Sequence, residues 1–89
     1  GTGLNICRQD FAVVLYRFAD YMGLDVSNRG NIDGYIDSSQ VSSYAREAVE
    51  WAVGIGLMGQ SVTTLNPVGF ANRAEIAAMI SRFLQVYNL

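Results

Sequence analysis

The chain has 89 residues, of which 51% are hydrophobic and 16% are charged, and its net charge at pH 7 is −2. This composition predicts one small domain with a packed core and excludes a disordered chain. All six basic residues are scattered arginines, so no basic cluster exists for binding nucleic acid. Histidine, the commonest general base and metal ligand, is absent, and we expect no enzymatic activity, no metal site and no cofactor. No apolar run is long enough for membrane insertion.

The first predicted helix follows Cys7 and carries its apolar residues at helical spacing. Asp10 stands at the third helical position, where a carboxylate can bond the N-cap N–H, and Gly23 marks the end of the helix. The predicted buried stripe consists of Phe11, Val14, Leu15, Phe18 and Met22.

The second predicted helix begins near Ser42 or Ser43 and ends near Gly56. Its apolar surface is wider than one stripe, so it is predicted to be the central helix.

The third predicted helix is capped by Asn72, with Glu75 at its third position. Its predicted buried face consists of Ile76, Ala77, Met79, Ile80, Phe83, Leu84 and Tyr87. The long connections at 23–41 and 57–71 are expected to be ordered by their own apolar side chains. The sequence therefore predicts an all-α, small three-helix bundle with two long ordered loops.

An internal repeat aligns residues 7–18 with residues 72–83 without a gap, at an offset of 65 (73 − 8). Repeats of this kind are units that bury an apolar face against a neighbouring unit. The identities are Arg8/Arg73, Ala12/Ala77, Arg17/Arg82 and Phe18/Phe83.

Two ordered sets of residues resemble a repeat of the S-layer homology family. Residues 35–37 (Tyr-Ile-Asp) and 41–59 resemble its first half, and residues 64–67 (Thr-Leu-Asn-Pro) and 72–80 resemble its second half. The segment Asn-Arg-Ala-Glu at 72–75 matches the family's Thr-Arg-Ala-Glu helix start. On this basis residues 1–24 are predicted to be the C-terminal half of a preceding repeat, residues 25–34 a polar linker, and residues 35–89 one complete repeat.

The resemblance implies a non-catalytic module that anchors proteins at the bacterial cell surface. Members of the family bind, without covalent bonds, the secondary polysaccharide of the Gram-positive cell wall, which is often pyruvylated. Three repeats typically pack with pseudo-threefold symmetry, and the sugar sites lie in grooves between neighbouring repeats. The implied location is extracellular, and the implied partners are this polysaccharide and other repeats.

The resemblance also assigns five residues to carbohydrate binding. The helix-start arginine that contacts the acidic saccharide corresponds to Arg73 and, in the half-repeat, to Arg8. The aspartate after the aromatic residue corresponds to Asp37, the groove aromatic to Tyr44, and the glycine after the second helix to Gly59. A guanidinium beside the N–H groups of a helix start is chemically suited to a carboxylate.

Other interpretations of these residues remain open. In one alternative, Arg73 forms an ion pair with Asp37 or Glu75 and only shapes a loop. Trp51 is expected to lie in the core. A second function is a structural or self-assembly module that packs against other repeats or copies of itself without binding sugar. Residues 25–36 partly follow a calcium-binding loop, but Arg29 occupies a ligand position, so Asx turns are expected there instead.

Overall fold

A computed structural model describes residues 5–61 and 63–89. Three α-helices are present: α1 (Arg8–Tyr21), α2 (Arg46–Gly54) and α3 (Arg73–Val86). Two short 3₁₀ helices, Ser38–Gln40 and Ser43–Ala45, precede α2. The described ranges contain no β-strand beyond one isolated bridge, which confirms the all-α, three-helix prediction. Within these ranges every helix is too short or too polar to traverse a lipid bilayer.

The internal repeat is visible in the helix boundaries. Both α1 and α3 contain 14 residues and begin at the repeated arginine. Two positions after the last residue of each helix lies a left-handed residue, Gly23 with a φ of 76° and Asn88 with a φ of 61°, again 65 positions apart (88 − 23). The N–H of the residue after each left-handed residue donates to a carbonyl in the last turn of the preceding helix at 2.9 Å, as in a Schellman motif.

The two repeated helices start differently. In α3 the predicted capping box is confirmed: Asn72 Oδ1 accepts from the Glu75 N–H at 2.8 Å, and Glu75 Oε1 accepts from the Asn72 N–H at 3.1 Å. In α1, Cys7 makes no side-chain cap bond. The carboxylate of Asp10 accepts from the Tyr44 hydroxyl at 2.5 Å, so the expected bond to the N-cap N–H is absent from the described contacts.

The core is centred on α2, as predicted. Trp51 is fully buried, and its indole N–H donates to the Tyr87 hydroxyl at 2.9 Å. Its ring packs against Tyr16, at a centroid distance of 5.4 Å, and Phe83, at 6.3 Å. These contacts join all three helices, and the expectation that Trp51 is a core residue is confirmed.

The predicted buried stripe of α1 is partly wrong. Phe11 and Leu15 are buried, but Val14, Phe18 and Met22 are each about half exposed, while the alanines of α1 are fully buried. The backbones of α1 and α2 approach closely, and small side chains permit that approach. The buried stripe is therefore rotated toward the alanines. The predicted face of α3 is also partly wrong: Ile76, Met79 and Phe83 are buried as predicted, but Ala77, Ile80 and Leu84 are exposed.

Residues 25–34, interpreted above as a polar linker, pack across α2. The Gly30 N–H donates to the Glu50 carbonyl at 2.7 Å, and Ile32 is buried. The chain crosses so close to Gly54 that a Cβ added at Gly30 would lie 2.9 Å from the Gly54 nitrogen. Residues 25–34, which lie between the two segments of the internal repeat in the sequence, are therefore packed on the central helix α2.

Candidate functional site

The starts of α1 and α3 lie side by side. The segments that lead into them run antiparallel, with an isolated bridge between Cys7 and Phe70. The Ala71 N–H donates to the Ile6 carbonyl at 3.0 Å. These backbone bonds bring together two helix starts that the sequence places 65 residues apart (73 − 8).

A forked ion pair joins the two helix starts through their side chains. Arg8 Nε donates to Glu75 Oε2 at 2.8 Å, and Arg8 Nη2 donates to Glu75 Oε1 at 2.6 Å. The Arg8 side chain is 17% exposed and the Glu75 side chain 37% exposed. The hydrogen bonds from Arg8, followed by the bond from the Asn72 N–H, hold the pKa of Glu75 below its usual value. Arg8 is therefore neutralised by a carboxylate in the first turn of α3.

Beside this ion pair lies a groove of about 470 Å³. One wall is the first three turns of α3, and the other is the loop that follows α2. A volume of this size is within the usual range for small-molecule sites, roughly 300–1,000 Å³. The lining residues are Arg8, Leu57, Met58, Gly59, Gln60, Ser61, Thr64, Leu65, Asn66, Asn72, Ala74, Glu75, Ala78, Met79 and Arg82.

Asp37 holds the loop wall of the groove in place without lining it. Its two carboxylate oxygens accept from the Leu65 N–H at 2.9 Å and the Asn66 N–H at 2.8 Å. Burial alone would raise the pKa of Asp37, but the bonds from these N–H groups outweigh burial and lower it. Both carboxylate oxygens of Asp37 are thus occupied by hydrogen bonds that hold the backbone next to Pro67.

Gly59 lines the groove at a position that requires glycine. Its φ is 85°, and its carbonyl accepts from the Tyr35 hydroxyl at 3.0 Å. A Cβ at this position would clash with that hydroxyl. The Tyr35 hydroxyl therefore holds the loop wall through the Gly59 carbonyl. Glycine at position 59 leaves room for this close contact.

The remaining two predicted site residues lie away from the groove. Arg73 is exposed, and it has no ion-pair partner in residues 5–61 and 63–89, so the expected alternative pairing with Asp37 or Glu75 is not seen there. Tyr44 is 63% exposed, and its hydrogen bond to Asp10 raises its pKa. Of the five predicted residues, the groove brings together Arg8 and Gly59.

Arg82 lines the groove and is not among the five residues predicted to bind carbohydrate. Its signal was present in two patterns. Arg82 repeats Arg17 at the same offset as the helix-start arginines, and it follows Ala74 and Ala78 at spacings of four, which places all three on one helix face.

The residues of the partial calcium-loop pattern form turns. The side-chain oxygens of Asp25 and Asn31 each accept from the N–H two residues further along, at 2.9 Å. These are Asx turns, as expected. Within the described part of the chain, no three Cys, Asp or Glu residues are grouped so as to hold a metal ion.

Comparisons with protein-family models, curated proteins and solved structures give no match for this chain. The resemblance to S-layer homology repeats therefore depends on the sequence motifs alone.

The lowered pKa of Glu75 gives a prediction about acid stability. A carboxylate with a lowered folded-state pKa stabilises the fold above its unfolded-state pKa, and this contribution is lost as the pH falls through the folded-state value. We expect Glu75→Gln to lose less unfolding free energy between pH 7 and pH 3 than the wild-type chain, as measured by urea denaturation. The exposed Glu47, which has no ion-pair partner in the described residues, supplies the control Glu47→Gln. Equal pH dependence in all three proteins would contradict the role of the Arg8–Glu75 pair.

Proposed function

We propose that this chain is a non-catalytic anchoring module of the S-layer homology type that binds secondary cell-wall polysaccharide at the bacterial cell surface. The supporting observation is the groove that α3 and the loop after α2 form beside the Arg8–Glu75 ion pair. The family resemblance implies sugar sites between neighbouring repeats, and Arg8, which belongs to the predicted half-repeat, is the one described lining residue outside the predicted complete repeat. Arg8 and Gly59 line it, and Asp37 fixes its wall.

The lining of the groove has the chemistry that a saccharide requires. Gln60, Ser61, Thr64 and Asn72 offer amide and hydroxyl groups to sugar hydroxyls. Apolar side chains such as Met79 lie beside them and suit the C–H faces of sugar rings. This mixture of a few polar groups with apolar surface is typical of sites that bind small molecules.

The same lining argues against catalysis at this groove. Glu75 is the only carboxylic acid among the described lining residues. Its two oxygens are held by Arg8 and by the Asn72 N–H, and its pKa is lowered rather than raised. General acid catalysis requires a carboxyl group that keeps its proton near neutral pH, and glycoside hydrolysis requires a second carboxyl group.

Blocking the groove should remove polysaccharide binding. Ala74 is exposed and lines the groove, so Ala74→Trp fills it without disturbing the core. Ala77 is also exposed on α3 but does not line the groove, so Ala77→Trp is a matched control. We expect Ala74→Trp to reduce retention on purified, immobilised Gram-positive wall polysaccharide at least tenfold, while Ala77→Trp is retained like the wild-type chain.

Thermal unfolding of both variants checks that the fold is intact. Retention of Ala74→Trp at the wild-type level would exclude this groove as the binding site. Absence of retention for the wild-type chain itself would contradict the proposed function.

A second candidate function, packing against further repeats or copies, is favoured by the exposed face of α3. The buried residues of α1 include Leu15 and Ala19. Their counterparts 65 positions later are Ile80 and Leu84, which are 40% and 42% exposed. At these two positions α3 exposes apolar side chains where α1 buries them, which leaves apolar surface available for packing against another repeat or copy.

The packing function makes its own prediction. Sedimentation equilibrium should show association of the wild-type chain that is suppressed by Ile80→Glu, because a charge on this face would be buried at a cost on association. Gln85→Glu adds the same charge at an exposed polar position of α3 and serves as the control. A wild-type chain that stays monomeric at high concentration would contradict association between copies through this face and leave the polysaccharide-binding proposal unaffected.

A further inference from the structure

Arg82 lies in the groove but far from the forked ion pair. Ala74, Ala78 and Arg82 form one face of α3 and all line the groove. Seven residues separate Glu75 from Arg82, which corresponds to roughly 10 Å along the helix axis. The groove therefore has two charged ends, the ion pair at one and Arg82 at the other.

The two ends differ in how their charge is compensated. Arg8 is bound by both oxygens of Glu75. Arg82 is half-buried and has neither a hydrogen-bond nor an ion-pair partner among residues 5–61 and 63–89. Because the charges of Arg8 and Glu75 cancel, Arg82 gives the groove its net positive charge.

The loop wall of the groove carries no acidic side chain that would compete for Arg82. Its polar side chains, Gln60, Ser61, Thr64 and Asn66, are uncharged. The Ser61 hydroxyl oxygen faces the Thr63 and Thr64 N–H groups at 3.3 and 3.4 Å, in a turn that adds no negative charge. An anionic group in the groove therefore meets one guanidinium and no carboxylate at this end.

From this arrangement we infer that Arg82 is the residue that recognises negative charge on the ligand, by binding a carboxylate of an acidic saccharide. The inference rests on the proposed polysaccharide-binding function. It assigns charge recognition to a residue in the third turn of α3 instead of the helix-start arginines, because Arg8 is already neutralised and Arg73 lies outside the groove. An arginine fork binds a carboxylate through two parallel charge-assisted hydrogen bonds, which neutral sugar hydroxyls do not reproduce.

The inference is tested with one acidic wall polysaccharide in two forms. The probes are the native polymer and the same polymer after chemical reduction of its carboxyl groups to alcohols. We expect the wild-type chain to bind the native form about tenfold or more tightly, which is the effect of roughly 1.4 kcal/mol from a charged hydrogen-bonded contact. Arg82→Gln should lose this preference, and added salt should weaken wild-type binding to the native form.

The internal repeat supplies the control. Arg17 is the counterpart of Arg82 in α1, is exposed and does not line the groove, so Arg17→Gln removes the same charge elsewhere. It should keep the full preference for the native polymer. Arg82→Lys keeps the charge without the fork and should show an intermediate preference, which tests the inference even if the glutamine variant unfolds.

The outcomes separate this inference from the proposed function. Equal wild-type binding to both polymers, or a preference that survives in Arg82→Gln, would overturn the role of Arg82 while leaving polysaccharide binding intact. No binding to either polymer would overturn both. A preference lost in Arg82→Gln and kept in Arg17→Gln would support both.

Discussion

The forked contact between Arg8 and Glu75 is the interaction on which the site depends. It joins the first residue of α1 to the first turn of α3 and acts beside backbone bonds between the segments that precede these helices. Glu75 takes part in two local structures at once, since it also completes the capping box with Asn72. The start of α3 and its contact with the start of α1 are therefore stabilised by one carboxylate, and the groove lies directly beside it.

Much of the fold follows from local patterns. The repeat located the starts of α1 and α3, and the left-handed positions of Gly23 and Asn88 end both helices at the same place in the unit. The burial of Trp51 followed from the wide apolar surface of α2. The buried stripes of α1 and α3 were less predictable, because which side of an apolar helix is covered depends on how closely its neighbour approaches.

The site was predictable only in part, for a reason that its residues make clear. The spacing in the sequence identified Arg8 and Arg73 as equivalent, yet one forms an ion pair across the junction and the other is exposed. Equivalent positions in a repeat need not have the same ion-pair partner, because the partner is supplied by whichever segment packs against each unit. Asp37 was selected for sugar binding, but its carboxylate holds two backbone N–H groups of the groove wall. The polysaccharide-binding proposal thus depends more on the groove beside the Arg8–Glu75 pair than on any one motif residue.

The most direct test of this account is a double-mutant cycle on the ion pair. The unfolding free energies of Arg8→Gln, Glu75→Gln and the double variant are compared with that of the wild-type chain at neutral pH. Glutamine at position 75 can still accept from the Asn72 N–H, so the cycle isolates the contact between the units. A coupling of about 1 kcal/mol is expected for a forked, partly exposed pair. Additive effects of the two substitutions would contradict the claim that this contact joins the repeat units.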